Sequence, residues 1–185
     1  MLKKFVGTLV VSTMLPLFVL AESTVTPLAL DSGSKTVEVS GNISSGQKIP
    51  LHWAENSAVA CFPGTRFEQF DGNHVFYRVP MPAASSMKIM LTPKNGAKIN
   101  LYALRQGASG QQPVPPNVTS AISAEASYPI YARKVGGKIV SNPDDGIRKV
   151  DFISVGQPYS ILIGVAGAHG AADGEFSLKV EVAPR

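Results

Sequence analysis

The sequence predicts an all-β protein, folded as an antiparallel β-sandwich of about eight to ten strands and of jelly-roll or immunoglobulin-like type. Short runs in which β-branched and aromatic residues alternate with polar residues recur along the chain, and this pattern is typical of half-buried strands. Pairs of Gly, Asn and Asp separate the runs and favour tight turns. After the N-terminal segment no stretch keeps a helical period over several turns, although a mixed α+β domain is the alternative.

The N-terminal segment has the three-part layout of a secretory signal peptide. Lys3 and Lys4 precede an apolar run that ends at a small-residue cleavage site, Ala21. We therefore expect a cleaved signal peptide over residues 1–21 and a single sandwich domain over residues 22–185. The alternative is an uncleaved membrane anchor, but the apolar run is short for a bilayer span. The protein is accordingly expected in the periplasm or outside the cell, with no membrane span after cleavage.

Seven alternating runs are the clearest predicted strands. They are residues 36–40, 74–79, 87–92, 99–104, 149–154, 159–165 and 175–182. Weaker candidates are residues 49–53, 130–134 and 138–140. Because an Asn-Gly pair favours positive φ, residues 94–98 are expected to form a hairpin that joins two paired strands.

One segment interrupts this succession of strands and turns. Residues 107–120 are rich in Pro, Gly, Gln and Ser and form an insert. Such a segment is usually a solvated loop, although long loops also carry binding surfaces. If the insert binds a partner, Pro113, Pro115 and Pro116 are the candidate contacts.

A second candidate binding surface precedes the first strong strand. Phe62, Phe67 and Phe70 lie close together in sequence, with Arg66 among them. Exposed aromatic rings beside an arginine would form a recognition patch. The alternative is that these rings close one end of the sandwich core, since aromatic side chains bury large apolar areas.

Cys61 is the only cysteine of the chain, which excludes a disulfide framework. A single cysteine in an exported protein has two interpretations. It is either a buried small apolar residue or a free thiol that reacts or pairs with another molecule.

Two parts of the chain share a pattern with a known family. In the first part, Cys61 and a loop precede the aromatic-rich run at residues 72–80, and two further strand-like runs follow. In the second part, the Asn- and Asp-rich turn at residues 141–146 leads to a run with Gly156 and Tyr159, and then to the run at residues 174–180. Together these parts resemble the bacterial prepeptidase C-terminal domain family, β-sandwich modules appended to secreted peptidases and other exported proteins.

The resemblance implies a sandwich fold and a role as a binding module. Many members of the family carry a second cysteine before the acidic turn, where this chain has Ser141. The resemblance therefore implies that Cys61 and Ser141 lie near each other in space.

The acidic turn is also a candidate calcium site. Asn142, Asp144 and Asp145 place oxygen ligands within one turn, and hard cations prefer clustered carboxylates and carbonyls. Relatives of the resembled module in collagen-binding proteins use calcium, which adds weight to this hypothesis. The alternative is an ordinary solvated turn, since a complete calcium shell needs about 6 to 8 oxygens. No other cofactor is expected.

Charge and motifs narrow the function. The formal net charge of the whole chain is only +4, and two of its lysines belong to the predicted signal peptide, so no nucleic-acid partner is expected. The chain lacks a Gly-x-Ser-x-Gly nucleophile elbow and closely spaced zinc ligands. His52 and His74 fall in predicted strands, and His169 lies in a glycine-rich turn with Asp173 nearby.

The leading hypothesis is therefore a non-catalytic binding or interaction module whose ligand is a protein or a polysaccharide. One alternative is a periplasmic inhibitor or immunity-type protein that blocks a secreted enzyme. The other is a small hydrolase whose active site is assembled from residues distant in sequence.

Overall fold

The computed structural model describes residues 23–31, 33, 35–55, 66–110, 112–118 and 123–185. The predicted signal peptide, Cys61 and Phe62 lie outside these residues, and so do three residues of the insert. The signal peptide, the state of the Cys61 thiol and the implied proximity of Cys61 to Ser141 therefore stay predictions.

Twelve strands form in the described part of the chain. In chain order they are β1 (Val25–Pro27), β2 (Thr36–Asn42), β3 (Gln47–Lys48), β4 (Asn73–Met81), β5 (Ser85–Pro93), β6 (Ile99–Gly107), β7 (Ala124–Ser127), β8 (Ile130–Val135), β9 (Lys138–Asn142), β10 (Arg148–Ser154), β11 (Tyr159–Gly167) and β12 (Glu175–Pro184). Short 3-10 turns form at Ile43–Ser45, His52–Ala54 and Phe67–Gln69. Within these described ranges no helix is long and apolar enough to cross a membrane.

Strand pairing builds two sheets and a separate hairpin. The first sheet has the order β1-β4-β11-β6-β7, with β3 also paired to β4, and the second has the order β10-β5-β12-β2. The pairs within both sheets are antiparallel except for the parallel pair of β1 with β4. Strands β8 and β9 pair only with each other among the strands described. The predicted all-β sandwich is confirmed, with more and shorter strands than expected.

Alternating apolar side chains fill the space between the two sheets. On β12, Phe176, Leu178, Val180 and Val182 are buried, and half-buried residues separate them. They pack in one cluster with buried residues of β4, β6 and β11 from the first sheet. Because burial of each large aliphatic or aromatic side chain is worth about 1.5 to 3 kcal/mol, this cluster holds the sheets together.

The first sheet is buried on both faces. On β6, Leu101 belongs to the cluster between the sheets, whereas Tyr102 and Leu104 belong to a second apolar cluster on the outer face. Loop residues cover that outer face, among them Ile49, Trp53, Phe70, Val118 and Tyr128. A strand buried on both faces favours a continuous apolar run rather than alternation, and β6 has such a run.

The predicted strand at residues 49–53 is wrong. The segment from His52 to Ala54 is a 3-10 turn, and Ile49 and Trp53 pack into the apolar cluster on the outer face of the first sheet. Apolar alternation here reflects burial on one side without a strand partner.

The predicted hairpin at residues 94–98 is also wrong. Asn95 and Gly96 have positive φ, as their sequence favours. However, β5 belongs to the second sheet and β6 to the first, so the turn carries the chain from one sheet to the other. Turn residues set the local backbone, whereas packing with distant strands decides which strands pair.

Candidate functional site

A polar groove of about 510 Å³ opens at one end of the sandwich. Its walls come from segments far apart in sequence. They include Gln69 of the third 3-10 turn, Lys98 before β6, Asn100 on β6, Arg148 at the start of β10, and His169 after β11. We call this site the Arg148 groove.

Arg148 and Asn100 form a buried polar network in the groove. The Arg148 side chain is 5% exposed and Asn100 is 2% exposed. Arg148 Nε donates to Asn100 Oδ1 at 2.9 Å, and Asn100 Nδ2 donates to the main-chain carbonyl and to Oε1 of Gln69 at 2.9 and 3.1 Å. A guanidinium is tolerated at such depth only when its donors are bonded and its charge is compensated, so the network holds one arrangement of this wall.

Asp144 compensates the charge of Arg148. Arg148 Nη1 and Nη2 donate to the two carboxylate oxygens at 2.7 and 3.0 Å, a bidentate geometry. These hydrogen bonds hold the pKa of the Asp144 carboxyl below its ordinary value. The neighbouring Asp145 accepts from the Ile147 N–H and from Lys149 Nζ, and these two bonds lower its pKa as well.

The same pairing bears on the calcium prediction. A calcium ion at this turn would have to displace Arg148 from Asp144 and Lys149 from Asp145. In the part of the chain that the structure describes, no group of three or more His, Cys, Asp or Glu side chains could hold a metal ion. The side chain of Asn142 lies outside that part, and calcium binding stays a prediction.

The hairpin of β8 and β9 rises beside the Arg148 groove. Pro129, just before β8, and Asp144, just after β9, both line the groove. The hairpin turns through Gly136 and Gly137, both of which have positive φ, as such a tight turn requires. Because a two-stranded hairpin outside a sheet has little stability of its own, its anchorage at the groove matters for its position.

Apolar and cationic side chains lie next to each other on this hairpin. Ile139 is 73% exposed and Val140 is also exposed. Lys138 precedes them on β9, and Lys134 of β8 is the cross-strand partner of Ile139. Residues 130–142 contain one arginine, two lysines and no acidic residue. Exposed aliphatic side chains on an unpaired strand edge are a usual mark of an interaction surface.

The predicted aromatic patch does not form as one surface. Phe70 is fully buried, and its ring meets the Tyr102 ring edge-on at a centroid separation of 5.7 Å. The assignment of Phe70 to an exposed patch is therefore wrong, because its ring gains more from burial on the first sheet. Phe67 is 37% exposed and Arg66 is half-buried, so their role as partner contacts stays a prediction, as does that of Phe62, which lies outside the described residues.

The Pro-rich insert is not a solvated loop where the structure describes it. Gln106 Nε2 donates to the Pro113 carbonyl at 2.7 Å, and Val118 is buried in the outer apolar cluster. Pro115 is buried, so its assignment as a partner contact is wrong, whereas Pro113 and Pro116 are half-buried. The insert covers the outer face of the first sheet, and deleting it would expose that face to water.

The histidines do not form a catalytic arrangement. His52 is exposed in its 3-10 turn, His74 is buried on the first sheet, and His169 is exposed at the Arg148 groove. Burial lowers the pKa of His74 to about 4, and its Nδ1 lies 3.1 Å from the Gly72 carbonyl. Among the described residues that line the groove there is no Ser, Thr, Cys or Tyr to serve as a nucleophile beside His169.

No sequence motif marks Asn100 and Arg148 as site residues. One signal is nevertheless present, because Asn100 interrupts the apolar run of β6. A polar side chain at such a position must find buried hydrogen-bond partners. The partner itself, 48 positions away in sequence, is visible only in the folded chain.

Comparison with known proteins gives structural likeness only. No protein-family model matches the chain, and no curated protein matches it. The chain is similar in structure to the periplasmic inhibitor PliG of g-type lysozyme from Aeromonas hydrophila, at 14% identity and a TM-score of 0.45, over 88% of this chain and 98% of PliG. It is also similar to the pre-peptidase C-terminal domain of collagenase from Bacillus anthracis, at 11% identity and a TM-score of 0.38, over 87% and 96%.

A third similar structure is CorA, a surface-associated copper-binding protein of Methylomicrobium album BG8. The identity is 9% and the TM-score 0.43, over 89% of this chain and 99% of CorA. At such low identity and structural agreement, the ligands of these proteins are not transferred to this chain. Membership in the prepeptidase C-terminal family stays a prediction.

Proposed function

We propose that the protein is an exported, non-catalytic binding module that recognises a partner protein through the β8–β9 hairpin beside the Arg148 groove. The observation that carries the proposal is the hairpin itself, which is outside both sheets and exposes Ile139 and Val140 next to lysines. The groove adds a rigid wall of polar groups at the foot of the hairpin.

The chemistry of the hairpin favours an acidic protein surface with an apolar pocket. Burying a side chain such as Ile139 contributes about 2 kcal/mol, or about thirty-fold in Kd. Lys134 and Lys138 would steer the hairpin towards carboxylates and set its orientation, since charges at an interface act mainly on association rate and specificity. A polysaccharide offers hydroxyl groups but few apolar pockets for an aliphatic side chain, so it is the weaker fit.

The ionisable groups of the groove support a role without catalysis. Arg148 and Asp144 are bonded to each other in bidentate geometry, so each holds the other in its charged form. A general acid or base needs a pKa near the working pH. The lowered pKa of Asp144 is unsuited to that task.

One observation favours an inhibitor or immunity-type protein as a second candidate function. A narrow two-stranded hairpin enters a concave site that a flat sheet face could not reach. Enzyme active sites are concave, and those of glycoside hydrolases are lined by carboxylates that would attract the lysines of the hairpin. Loss of the partner enzyme's activity on binding would identify the protein as its inhibitor.

The test compares the wild-type protein with Ile139→Ser and with the matched control Val155→Ser. Val155 is also aliphatic, is 72% exposed, and lies between β10 and β11, away from the hairpin. Each protein is immobilised and exposed to an extract of the source cells. Retained proteins are identified by mass spectrometry, and the purified partner is titrated by calorimetry.

We expect one partner that binds Ile139→Ser about thirty-fold more weakly than wild type. Val155→Ser should bind within about two-fold of wild type, since an isolated surface change has a small effect. Circular dichroism would verify that both variants keep the β spectrum. Equal binding by all three proteins would refute the hairpin as the recognition element, and the lack of any specific partner would refute the function.

A further inference from the structure

A second groove, of about 340 Å³, lies beside the start of β11, at the end of that strand opposite to the Arg148 groove. Four of its lining residues are prolines, at positions 27, 80, 82 and 158. Met81 and Tyr159 add further apolar wall, and Arg78 is its cation.

Arg78 is held there by neutral groups. Its Nη1 donates to Gln106 Oε1 at 2.6 Å, to Gln112 Oε1 at 2.8 Å and to Ser160 Oγ at 3.2 Å. Its Nη2 donates to the Gln112 carbonyl at 3.2 Å. No carboxylate pairs with Arg78 in the described ranges, where its Nε and its second Nη2 hydrogen have no acceptor.

A half-buried guanidinium without a counter-charge is a site for an anion. Burying a charge costs free energy unless a partner compensates it. The planar arrangement of N–H groups in arginine matches the two oxygens of a carboxylate. The partial burial of Arg78 already lowers its pKa, which is the electrostatic sign of that uncompensated charge.

We propose that this groove binds a medium-chain fatty acid, with the carboxylate on Arg78 and the hydrocarbon tail against the proline-rich walls. The tail is favoured over a peptide because proline has no N–H, so the main-chain carbonyls of a bound peptide would find few donors along these walls. A hydrocarbon tail needs no donor and gains from burial against Met81 and Tyr159. The site is separate from the Arg148 groove and does not depend on the hairpin.

The experiment titrates the wild-type protein by calorimetry with hexanoate, octanoate and decanoate below their micelle concentrations. Affinity should rise about four-fold for each added methylene that the groove can bury. Decanol and decyltrimethylammonium test the charge requirement. Acetyl-trileucine with a free carboxylate tests the peptide alternative.

Three variants locate the binding. Arg78→Gln should weaken decanoate binding about ten-fold or more, the usual worth of a hydrogen bond to a charged group. Because Arg78 also fastens the insert, Ala108→Trp serves as a second variant that fills the groove from an exposed position and leaves those hydrogen bonds in place. Lys88→Gln, on the exposed face of the second sheet, is the control and should bind decanoate as wild type does.

The proposal is overturned if decanoate produces no saturable heat. It is also overturned if decanol or decyltrimethylammonium binds as tightly as decanoate, or if Ala108→Trp binds decanoate normally. Tighter binding of acetyl-trileucine than of decanoate would assign the groove to a peptide carboxylate instead.

Discussion

Replacing Asn100 by alanine tests the buried network that shapes the Arg148 groove. Asn100 makes three hydrogen bonds in the described structure, and one of them comes from a guanidinium. A neutral hydrogen bond contributes about 1 kcal/mol to stability, and one to a charged group about 1.5 to 3 kcal/mol. Since water can enter the groove and replace part of the network, we expect Asn100→Ala to lower the free energy of unfolding by about 3 kcal/mol.

The assay is urea unfolding at pH 7.5, followed by the fluorescence of Trp53, the only tryptophan, which is buried in the folded state. With a urea dependence of about 2 kcal/mol per M for a chain of this size, the midpoint should fall by about 1.5 M. Asn117→Ala is the matched control, because Asn117 is exposed, and its stability should stay within about 0.5 kcal/mol of wild type.

A double-variant cycle separates the network from a general effect of the lost amide. With Arg148→Met alone, Asn100 Oδ1 loses its donor, and in the combined variant with Asn100→Ala neither partner remains unsatisfied. The combined loss should therefore be smaller than the two single losses added together, by about 1 kcal/mol or more. Strict additivity, or a loss below about 1 kcal/mol for Asn100→Ala, would contradict the assigned role of the network.

Two further substitutions test the buried first sheet. Gly164→Ala should destabilise the protein by about 3 kcal/mol or prevent folding, because an added Cβ would overlap the Tyr102 ring; Gly156→Ala has open space and should be nearly neutral, and equal stability of the two variants by urea unfolding would contradict the packing. The folded-state pKa of His74, about 4, lies below its ordinary 6.5, so its contribution is complete above pH 6.5 and is lost as the pH falls towards 4. Between pH 7.5 and pH 5 this amounts to about 2 kcal/mol of unfolding free energy, and His74→Gln should remove that part of the pH dependence; an unchanged pH profile would show that His74 does not cause it.

The pattern of residue types alone predicted most of the strands. On β12 and β10 apolar and polar residues alternate, and the side chains of a strand point alternately to its two faces, so the pattern reports burial on one face directly. The glycine pair at the end of β8 likewise predicted a tight turn, because its backbone requirement is local. Strands of two or three residues, β1 and β3, carry too few positions for any such pattern.

Only the tertiary structure decided which strands pair and which polar groups meet. The turn at Asn95 and Gly96 has the local geometry of a hairpin, yet it connects strands of different sheets, because apolar packing with distant strands outweighs nearness in sequence. The same distant packing joins Arg148 to Asn100 and leaves the β8–β9 hairpin outside both sheets. Burial and pairing across the fold are sums over many long-range contacts, and no local run of residues encodes them.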